Sequence, residues 1–152
     1  MRSDMLGIAF PSTDSLLSSL LSTCEETAAI ASRLAGRARQ DSLQAFLRQR
    51  AASYVRAAVE LRDLGGSTAI EEDARELNLP AHDGDLDCLA AAWDAIECSA
   101  LISFRDALDL DLPRDVDATL RRLIEDGVGA LEQLRLPRAA YIASRAGGQQ
   151  LA

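Results

Sequence analysis

Apolar residues along the chain recur three and four positions apart and seldom alternate, which is the spacing that lines up side chains on one face of an α-helix. Four stretches carry the pattern, over about 13–38, 42–64, 85–110 and 113–136. In the first, Leu17, Leu21, Cys24, Ala28, Ala31 and Ala35 form a stripe that Leu20, Thr27, Ile30 and Leu34 widen. Pro11-Ser-Thr-Asp14 is its expected start, with Ser12 or Thr13 capping free N–H groups. Asp41-Ser-Leu-Gln44 resembles a capping box opening the second helix. Its stripe is Leu43, Leu47, Arg50, Tyr54, Ala57, Leu61 and Leu64, and Gly65-Gly66 is the expected left-handed stop. The third presents Leu86, Leu89, Ala90, Trp93, Ile96, Glu97, Ala100, Phe104, Ala107 and Leu108 inward. In the fourth, entered at Pro113, the inner positions are Val116, Leu120, Leu123, Ile124, Gly127, Leu131 and Leu134, and Pro137 is expected to interrupt it.

The links after the first and third helices are only a few residues long, which makes each pair an antiparallel hairpin. Residues 67–84 are polar and acidic, and at ~3.3 Å per extended residue they can span the ~33 Å of a 22-residue helix. The expected fold is all-α: a single domain over 1–152, an antiparallel four-helix bundle of ferritin-like kind with a long crossover between helices 2 and 3. A basic tail over 137–152 completes it.

Composition narrows the chemistry further. The 152 residues include one histidine, His82, and six aromatics, and all 16 basic residues are arginine. Without lysine there is no Schiff base and no P-loop; the bias fits a GC-rich bacterial genome. Net charge is −8, which disfavours binding to a nucleic-acid backbone. The acids concentrate in 67–132, and the last twenty residues are basic. Cys24, Cys88 and Cys98 are odd in number and lack a C-x-x-C pair, so free thiols in a reducing cytoplasm are expected. Met1 to Phe10 lacks a signal-peptide core, and no apolar run reaches the roughly 18 residues of a membrane span. Localisation is therefore expected to be cytoplasmic, with no membrane and no nucleic-acid partner.

Three strings carry a family resemblance: Cys24-Glu25-Glu26 in the first helix, Ala57-Ala-Val-Glu-Leu-Arg-Asp-Leu-Gly-Gly66 closing the second, and Ser103-Phe-Arg-Asp-Ala-Leu-Asp-Leu-Asp-Leu-Pro113 closing the third. With them, the run from Leu20 to about Leu136 resembles a family of uncharacterised bacterial ferritin-like four-helix bundles. The resemblance implies a fold and a loose link to stress, not a reaction. The chain departs from the pattern after Gly66 and in the fourth helix, where Leu131 stands in place of a histidine.

A di-iron centre in such a bundle takes one carboxylate from each of two helices and a glutamate-x-x-histidine pair from each of the others. Here helix one offers Glu25 or Glu26, helix two Glu60 with Asp63, helix three Glu97 followed by Ala100, and helix four Glu125 or Glu132, and no bundle helix carries a histidine. No cofactor is therefore expected. The alternative is a carboxylate-bridged iron or manganese site, for storage or oxidase chemistry, at Glu26, Glu60 and Glu97.

Glu97 and Arg50 stand on seams, with Glu26 and Glu60 flanking, so Glu26, Arg50, Glu60 and Glu97 form a candidate buried polar cluster. Counting rise per residue puts Glu26 and Glu97 within about 7 Å along the axis. The structural reading is a buried ion pair that fixes helix register, and the functional one is a modified ligand set in which arginine replaces a metal. No nucleophile or substrate pocket is apparent, and no catalytic residue is assigned. Trp93, Tyr54 and Phe104 read as core anchors, Cys24 and Cys98 as buried thiols, and His82 as a solvated loop residue. Three functions follow: a non-catalytic bundle, structural or stress-associated and self-associating; the metal-binding alternative; and a protein-interaction module whose acidic segment Glu71 to Asp87 meets a basic partner or another copy's tail.

Overall fold

The computed structural model describes the backbone of residues 13–65 and 86–151, and the side chains of 13–65 and 88–135. The capping residue Ser12, the segment 67–84, His82 and most of the acidic stretch lie outside the described residues. Those residues form four helices and no strand: α1 (Thr13–Arg37), α2 (Asp41–Asp63), α3 (Leu86–Leu108) and α4 (Arg114–Leu151).

The stripe of α1 is buried position for position, from Leu17 to Ala35. Its one polar member, Thr27, is accommodated because its hydroxyl donates to the Thr23 carbonyl at 2.6 Å. On α2 the buried set adds Ala51 and Ala58 to the expected stripe, and Leu64 at its end is half-buried. The widening is physical: α2 packs on α1 along its whole length and also meets α4, so its apolar face is broader than one heptad seam. Trp93, Phe104, Leu89 and Leu120 supply fully buried bulk from the other two helices.

Three local features differ from expectation. Gln40, not Asp41, is the N-cap of α2, with extended backbone and no side-chain cap. Asp41 enters the first turn, where its charge favours the helix dipole, and the Gln44 amide reaches across the hairpin to donate to the Ala35 carbonyl at 3.2 Å. That bond satisfies one of α1's terminal carbonyls, so the box residues serve the hairpin. Secondly, Pro113 lies just before α4, its carbonyl accepting the Asp117 N–H at 3.0 Å. Thirdly, α4 continues through Pro137 to Leu151. Proline's fixed φ is helical and removes a single intrahelical bond, while Leu136, Ala139 and Ala140 around it are good helix formers.

Gly65 takes φ +119° after the Leu64 C-cap, a conformation that side chains rarely adopt, so the stop expected at Gly65-Gly66 is seen at its first residue. The glycines of α4 divide by surroundings. A Cβ on Gly127 would meet Leu101 Cδ2 at 2.6 Å, whereas one on Gly129 meets nothing within 4 Å. Leu101 is itself buried and cannot swing freely. Gly129→Ala should therefore stabilise by about 0.5–1 kcal/mol through helix propensity. Gly127→Ala should destabilise by about 1–2 kcal/mol, as expected for overpacking a filled core. Urea unfolding of the two variants checks both signs.

Candidate functional site

Two of the four residues singled out from the sequence meet in the core. Arg50 on α2 is 5% exposed and Glu97 on α3 is 0% exposed. The guanidinium grips the carboxylate with Nε at 3.1 and 3.3 Å from the two oxygens and Nη2 at 2.8 Å from Oε2. A planar fork on a planar carboxylate is the strongest geometry available to such a pair. It forms because Arg50 and Glu97 each take a stripe position beside buried stripe residues, Leu47 and Tyr54 on α2 and Trp93 and Ala100 on α3.

The pair has further partners. Arg50 Nη1 donates to Asp126 Oδ2 on α4 at 3.0 Å, and the Asp126 side chain is 53% exposed. The Arg50 guanidinium carbon also lies 5.3 Å from the centre of the Tyr54 ring, a cation–π contact one helical turn along α2. The Tyr54 phenol lies close enough to Glu97 to feel its charge, and its ring meets Trp93 edge-on with centroids 6.2 Å apart. Residues of α2, α3 and α4 thus share one polar knot.

Electrostatics keeps Arg50 charged and Tyr54 neutral. Burial pulls the Arg50 pKa down, but hydrogen bonds and charge from Glu97 and Asp126 outweigh it, and the net shift is upward. Tyr54 is pushed up by burial and then by Glu97, so the phenol stays protonated. Cys24, also buried, is pushed up to about 12, by burial first and then Glu25, which leaves its thiol a poor nucleophile near neutrality. Glu97 already accepts bonds from Arg50. Nothing in the knot offers a reactive group with open access.

Glu26 and Glu60 stand elsewhere. Glu26 is exposed on α1: it adjoins the buried Thr27 in sequence, hence about 100° around the helix from the seam. Glu60, half-buried, is ion-paired to Arg122 of α4, and ten residues along α2 separate it from Arg50 by about 15 Å. The four-residue cluster is thus corrected to Arg50 and Glu97 joined by Tyr54 and Asp126. Asp126 could have been found from its place beside the inner Gly127. The part played by Tyr54 could not, because an aromatic on a stripe looks the same with or without a cation over its ring.

Arginines hold most of the carboxylates named for a metal. Glu97 is taken by Arg50, Glu60 by Arg122 and Glu25 by Arg62 at 3.0 Å, and among the described residues no three His, Cys, Asp or Glu are grouped to hold an ion. A guanidinium already supplies the positive charge that a cation would bring to Glu97. Also among the described residues, no helix is long and apolar enough to cross a membrane. No protein-family model matches the chain, and neither does any curated protein.

Proposed function

We propose that the chain is a ferritin-like four-helix bundle without a reaction of its own, a structural or stress-associated module that self-associates. The observation that carries this reading is the forked Arg50–Glu97 pair in the core: the carboxylate that would be the central metal ligand of such a bundle serves as an anchor between helices.

Contact pairs support the ferritin-like topology. Ala35 with Gln44 and Leu17 with Gly65 set α1 against α2 in opposite directions. Leu101 with Gly127 and Asp94 with Arg135 do the same for α3 and α4. Glu60 with Arg122 and Arg50 with Asp126 set α2 against α4 likewise. In this reading α2 and α3 both oppose α4 and so run parallel, the relation found in bundles with one long crossover connection.

The test is metal analysis of the full chain purified without chelators, then offered excess iron or manganese. The expected result is no stoichiometric uptake. Stoichiometric binding that disappears in Glu60→Gln, a change at a half-buried position, would overturn the proposal in favour of the carboxylate metal site.

A further inference from the structure

We draw no further inference here: the strongest candidate, the open groove between α1 and α2 beside the exposed Val55 and Val59, carries none, because nothing in the structure shows what covers it.

Discussion

Glu97→Gln should destabilise the protein by about 3–5 kcal/mol, the range found when one partner of a buried ion pair is removed. Glutamine keeps the shape and can still accept one bond, but the Arg50 charge then stays in the core with Asp126 alone to balance it among the described residues. Asp126 sits at the solvent edge, 53% exposed, where water weakens the attraction that it can offer. A loss of that size is a large share of the 5–15 kcal/mol typical of a domain. Asp126→Asn should cost at most about 1 kcal/mol, since its exposed carboxylate is worth little more than a surface pair. Urea denaturation followed by circular dichroism measures both, and equal losses would contradict the division of labour between the two acids.

Trp93→Ala carries the second large effect, an expected loss of about 3–5 kcal/mol from removing the bulkiest fully buried side chain. Trp93 packs its ring edge-on against Tyr54, so the cavity would open beside the polar knot. Among the described residues its indole nitrogen is buried without a hydrogen-bond partner, an arrangement that costs about 1–3 kcal/mol wherever it occurs. Trp93→Phe removes the orphan donor along with part of the ring, and the two effects oppose one another. The phenylalanine variant should therefore lose less than about 2 kcal/mol. Thermal unfolding of the pair checks the contrast, and equal losses would show that the indole N–H has a partner after all.

The helices were the most legible part of the chain, because burial is written in spacing. Every expected stripe position of α1 is buried, and Arg50 and Glu97 were recognisable as charges standing where leucines would. Geometry across helices was less accessible. Whether Glu26 faces inward depends on one residue's worth of rotation, about 100°, and a stripe that includes both Cys24 and Thr27 does not exclude its neighbour by pattern alone. Asp126 contributes from the edge of α4, a contact made only because arginine is long enough to reach out from the core. At the α1–α2 turn, Gln44 had two uses open to it, a local cap or a bond across the hairpin, and only the approach of Ala35 decides between them. Pro137 misled because its helix-breaking tendency is a cost that surrounding residues can absorb, not a prohibition.

The most direct measurement of Arg50 as Glu97's counter-charge is a double-mutant cycle on Arg50→Met and Glu97→Gln, read by urea unfolding of all four proteins. The Arg50 contact with Asp126 is lost in both Arg50→Met arms of the cycle and cancels. If the two charges balance each other in the core, the double variant should lose no more than the worse single one, giving a coupling of at least about 2 kcal/mol. Additive losses would contradict that pairing and leave the Glu97 carboxylate in need of another partner.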